Sequence, residues 1–139
     1  MGPRQVLYAL LMWGTLIYAI RRGGWPELSA AWIVVIGSVL SATVTDSFMH
    51  VVTPIMLYDA ITFLAFFGVG LLSERYWPMW VTAISGVSLL GHLLPLMPMS
   101  NPEVYHDAIA LWSWPILLII VRATRQRSIE TNSTVNSPA

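Results

Sequence analysis

The chain has no cysteine, no lysine and little charge of either sign, with only 10% of its residues charged where a soluble domain carries about 25%. Without cysteine there can be no disulfide, no thiolate metal site and no thiol nucleophile, and the compartment cannot be read from redox chemistry. All seven basic residues are arginine and the formal net charge is zero. They form no basic run of the kind that suits a phosphate backbone, which argues against a nucleic-acid partner. No HExxH or comparable metalloenzyme motif occurs either. What the chain does have is hydrophobic residues, 56% of 139. That length is one domain's worth, and the composition is that of a membrane protein.

Five apolar blocks follow one another, over about 4–20, 27–48, 54–73, 78–96 and 102–121, each near the roughly 20 residues a helix needs to cross a bilayer core. Pro3, Pro26, Pro54, Pro78 and Pro102 head them in turn, where a helix tolerates proline because its first amides have no intrahelical partner. Thr53 and Asn101 are suited to N-caps, and Glu27 and Glu103 place negative charge in a first turn, favoured by the helix dipole. The expected fold is all-α, an integral membrane bundle of five transmembrane helices over 1–127.

Block one is read as a retained helix rather than a cleaved leader, since Arg21-Arg22-Gly23-Gly24 and not a small-residue cleavage site follows it. The tail 128–139, SIETNSTVNSPA, is polar with almost nothing to bury, so it is expected to be disordered and dispensable. Arginine placement orients the chain. Arg21 and Arg22 follow helix 1, Arg75 follows helix 3, and Arg122, Arg125 and Arg127 follow helix 5, with only Arg4 opposing. The positive-inside rule puts the C-terminus in the cytoplasm and the N-terminus outside. The glycosylation acceptor Asn132-Ser133-Thr134 then lies on the wrong side of the membrane.

With this topology the outer ends of helices 2 to 5 carry Asp46 and His50, Asp59, His92, and Glu103, His106 and Asp107. Asp59 lies about 8 Å in, His92 a few ångströms in, and His106 and Asp107 about 6 to 8 Å in, at 1.5 Å per residue. Glu103, His106 and Asp107 share one helical face, as do Asp46 and His50. Glu103, Asp46 and His50 also suit a wet membrane interface. Asp59 is different, because an acid inside a membrane segment must find a partner. His92, on the helix that follows through a short loop, is the expected one. Such a pair serves either as a hydrogen bond that fixes packing or as a ligand or proton site.

Trp25, Trp77 and Trp80 suit the cytoplasmic interface belt, while Trp13, Trp32, Trp112 and Trp114 lie deeper and are expected to pack between helices. Gly37 with Ser41, Ser38 with Ala42, and Thr82 with Gly86 are small pairs that allow close helix approach. Pro115 should kink helix 5.

RRGGWPE at 21–27, ERYWPMW at 74–80, the pair His92-Leu93 and ALWSWPILL at 110–118 resemble a group of small bacterial multi-pass inner-membrane proteins of similar length and helix pattern. The resemblance implies the bacterial inner membrane and carries no activity with it. Asp46, His50 and the segment 96–99 fall outside that pattern.

Three functional classes remain open. The first is a non-enzymatic accessory or interaction subunit, which binds other membrane proteins or a copy of itself. The second is a metal or ligand site on the outer face: Asp59, His92, His106 and Asp107 supply ligands for zinc or another divalent ion, which could activate water against a lipid head group. A b-type haem on His92 and His106 is disfavoured, because the loops that carry these ends hold no arginine for its propionates. The third is ion or proton transport by an oligomer, since a single chain has no ionisable residue through the cytoplasmic half of its helices.

Overall fold

The computed structural model describes residues 3–45, 52–92 and 102–135, and only the backbone of 42–45, 52–54 and 102–110. Its regular elements are α1 Pro3–Arg22, α2 Trp25–Thr45, α3 Val52–Leu72, α4 Trp77–Gly91 and α5 Pro102–Val135. The fold is all-α, and no strand occurs among the described residues. Among the described residues one stretch, Ile55–Leu72, is by length and composition apolar enough to cross a membrane, and Trp25–Ser41 is a shorter apolar helix. Arginines at both ends interrupt the apolar run of α1.

Chain neighbours pack in pairs, and α5 returns to lie against α4, α1 and α2, closing the five helices into a ring. Tyr8 of α1 meets Ser38 of α2 at 3.2 Å. It also meets the ring of Trp114 on α5 edge-on, with centroids 5.9 Å apart. At the far end of α1, a Cβ on Gly24 would lie 2.5 Å from Arg127 Cζ of α5. The partner number rises with the α1 number, so α1 and α5 run parallel. The interior is one cluster that includes Leu16, Ala30, Val35, Phe66, Val81 and Ile120. Buried hydroxyls are satisfied within their own helices: Thr15, Thr82, Ser85 and Thr124 each donate to the carbonyl four residues back.

The small pairs serve this internal packing. A Cβ on Gly37 would lie 3.3 Å from Thr62 Oγ1 of α3, and one on Gly86 would lie 3.2 Å from the Phe63 ring. Three of the four deep tryptophans are not between helices, contrary to expectation: Trp13, Trp32 and Trp112 face outward, and Trp114 is partly buried. Close helices joined through Ala19, Ala30 and Ala31 leave no width for indoles between them, so the large rings go to the outside.

Two helix ends also differ from expectation. The helix predicted to reach 96 ends at Gly91, with His92 as its C-cap. Pro95 explains the early stop, because it lacks an amide hydrogen and disfavours helical backbone at the residue before it. α5 passes through Pro115 and continues to Val135, so 128–135, read from composition as disordered, is helical; residues 136–139 lie outside the described residues. No glycine or proline stands between 116 and 137 to stop the helix, and elongating a helix is far easier than starting one. Arg75 in the α3–α4 connection then holds the extension, with its guanidinium 2.7 Å and 3.4 Å from the two carboxylate oxygens of Glu130.

That hydrogen bond, with the charge of Arg75, holds the Glu130 carboxyl below its ordinary value, and Glu130 in turn raises Arg75. A lowered acid stabilises the fold above its unfolded value and loses that contribution as pH falls through the folded one. Protection of the amides at 128–135, measured relative to their intrinsic exchange rates, should therefore fall below the ordinary glutamate range and in high salt. Arg75 is partly buried and Glu130 is exposed, with side chains 33% and 57% open to solvent, and pairs so accessible to water hold little. Truncation after Arg127 should leave the melting temperature of the bundle unchanged, and loss of folding on truncation would show that this extension is part of the core.

Candidate functional site

α3 and α4 form an antiparallel hairpin whose register is set by small residues. Gly70 faces Met79 and Thr82, and one stage further along Phe63 faces Gly86. Asp59, Phe63 and Gly70 recur at helical spacing on α3, and Met79, Thr82 and Gly86 do so on α4. Extending the same register by one more turn brings Asp59 opposite His92. Their side chains meet there, with His92 Nε2 2.7 Å from Asp59 Oδ2. The imidazole is fully buried and the carboxylate is 31% exposed. An ionised carboxylate only accepts, so with Asp59 ionised Nε2 carries the hydrogen and donates it.

Asp46 and His50 lie outside the described residues, as do the side chains of Glu103, His106 and Asp107. Of the seven candidate site residues, the structure thus brings together the two that could be matched by depth and by the short α3–α4 loop. Among the described residues no group of three His, Asp or Glu is placed to hold a metal ion. The dyad alone supplies one nitrogen and one carboxylate, which is half of a tetrahedral zinc site.

The opposite end of the bundle holds features that the sequence reading understated. Glu27 is completely buried. Its Oε2 accepts the backbone N–H of Gly24 at 2.8 Å. Gly24 immediately precedes α2 and Glu27 is its third residue, so the carboxylate reaches back to the N-cap amide as in a capping box. The spacing in GGWPE was the available signal. Two buried polar atoms at this end have no hydrogen-bond partner among the described residues, Glu27 Oε1 and the indole nitrogen of Trp77. Side chain and backbone are tight here, since a Cβ on Gly23 would lie 2.5 Å from the Ala19 carbonyl oxygen and 3.1 Å from Glu27 Cβ.

Between the two ends the helices carry no ionisable side chain except tyrosine: none occurs in 5–20, 28–45, 60–73, 77–91 or 108–121. The chemistry of the chain is therefore split into an acid–imidazole pair at one end and an arginine-rich rim at the other. Comparison with protein families, curated proteins and solved structures gives no match, so function has to be argued from these residues.

Proposed function

We propose that the chain is a multi-pass protein of the bacterial inner membrane, with five transmembrane helices, its N-terminus outside and its C-terminus cytoplasmic. It acts there as a non-enzymatic accessory or interaction subunit. The observation that carries this is the outer surface of the bundle: every helix turns large apolar side chains outward, among them Leu10, Ile36, Leu64, Leu90 and Leu118, all more than half exposed. Helices apolar all round belong in a membrane or a large core, and a bundle of this size has no core to hide them in. The arginines support the orientation, since Arg21 and Arg22 end α1, Arg75 follows α3, and Arg122, Arg125 and Arg127 lie in the second half of α5.

Fastening α3 to α4 is the role we assign to the Asp59–His92 pair. An ion route would need polar groups through the thickness of the bilayer, whereas between the ends the buried hydroxyls of Thr15, Thr82 and Ser85 bond to their own backbone and Tyr8 and Ser38 meet each other. Topology gives the first test. A reporter fused after Ala139 should work only in the cytoplasm, and one inserted in the 93–101 connection only outside; activity of the Ala139 fusion in the periplasm would sink the orientation. Metal removal gives the second. A fastening pair leaves the melting temperature indifferent to chelator, whereas zinc held by Asp59, His92, His106 and Asp107 would add stability that a chelator strips away.

A further inference from the structure

We propose that a groove at the cytoplasmic rim binds the headgroup of an anionic phospholipid of the inner leaflet; this rests on the membrane reading above. The groove has a volume of about 420 Å³ and is lined by Trp77 and Trp80 of α4 and by Ile119, Arg122, Ala123 and Gln126 of α5. On each helix these residues have the spacing of a single face: i and i+3 on α4, and i, i+3, i+4 and i+7 on α5. From Ile119 to Gln126 the wall rises about 10 Å along the helix. It changes on the way from aliphatic to cationic to amide, which is the order a lipid presents from glycerol to phosphate to headgroup.

Charge complementarity selects the occupant. Six arginines but only three glutamates, Glu27, Glu74 and Glu130, occupy this end, and no acid lines the groove. Arg75 is engaged by Glu130 and Arg127 lies against Gly24. Arg122 is exposed and has no hydrogen bond or ion pair among the described residues. A guanidinium pairs with phosphate oxygens through two parallel N–H donors, and Gln126 adds an amide donor beside it. Trp80 is 68% exposed at the mouth, where an indole sits at headgroup level. The groove is only two turns long, too short for a helix of a second copy or of another protein to lie along it.

The test uses the full chain in nanodiscs that mix phosphatidylcholine with phosphatidylglycerol, with retained lipids counted by native mass spectrometry after release. The wild type should keep phosphatidylglycerol in preference to phosphatidylcholine. Arg122→Gln should lower that preference about fivefold, the size of one arginine–headgroup contact near an anionic surface. Arg122→Lys should retain part of it, and Arg125→Gln, outside the groove, should retain all of it. Equal retention of the two lipids by the wild type would overturn the proposal, as would an unchanged preference in Arg122→Gln. So would a dimer whose mass is lost with Arg122→Gln, which would assign the groove to a second copy. Failure of the wild type to enter nanodiscs at all would instead defeat the membrane reading itself.

Discussion

Phe66→Ala should cost about 2.5 kcal/mol of unfolding free energy in a lipid environment, while Leu64→Ala two residues away should cost almost nothing. Phe66 is 1% exposed and belongs to the one continuous interior cluster. In a water-soluble protein such a truncation removes about 3–5 kcal/mol, made up of a transfer contribution and a cavity contribution. Lipid tails are as apolar as the protein interior, so the transfer part largely cancels between the folded and the dispersed helices. The cavity part stays. Removing about 100 Å³ of ring at about 24 cal/mol per Å³ gives the quoted figure. Leu64 is 62% exposed, and in the proposed membrane setting it exchanges lipid contacts for lipid contacts when shortened. Unfolding in mixed micelles measures both variants. If Leu64→Ala were as costly as Phe66→Ala, the outward face of α3 would be packed against something, and a partner helix rather than lipid would have to cover it.

The same logic explains what could be read from the sequence. Proline at the head of an apolar block works as a helix signal because the steric rule is local, and all five helices follow from it. The Asp59–His92 contact was legible too, since a short connection fixes which residues of two antiparallel helices lie at one depth, and an acid at that depth needs a partner. The direction of the tryptophans was not legible. Trp13 and Trp32 sit on helices whose apolar residues run all the way round, so periodicity does not distinguish inside from outside, and the small residues that set the helix spacing were the better guide. Composition misled at 128–135 because it measures what a segment can bury. Whether a helix goes on depends instead on whether anything stops it, and a single anchor, Arg75 on Glu130, helps to hold that end. Glu27 was taken for a helix-start charge when its burial makes it a structural cap, a distinction that needs the neighbouring helices to be in place.

The fastening pair leads to a prediction in which a double substitution is milder than a single one. Asp59→Leu should destabilise the bundle by about 1.5 kcal/mol, near the upper end of what interhelical hydrogen bonds have shown in membranes, about 0.6 on average and up to about 1.7. The upper end applies because the His92 ring is wholly buried, so water does not readily take the place of the carboxylate that Nε2 loses. The partial exposure of Asp59 keeps the loss below the 3–5 kcal/mol of a fully buried ion pair broken on one side. Adding His92→Leu removes the buried imidazole along with its lost acceptor and restores apolar contact at the end of the α3–α4 seam, so Asp59→Leu/His92→Leu should recover to within about 0.5 kcal/mol of wild type. Asp59→Asn, which keeps an acceptor within reach of Nε2, should fall between the two. The coupling energy from the full cycle is the decisive quantity. A value near zero would mean that the 2.7 Å contact contributes nothing to holding α3 on α4. A double variant worse than either single one would mean that Asp59 and His92 each hold some further group, and the case for a ligand site at this end would then replace that for a fastening.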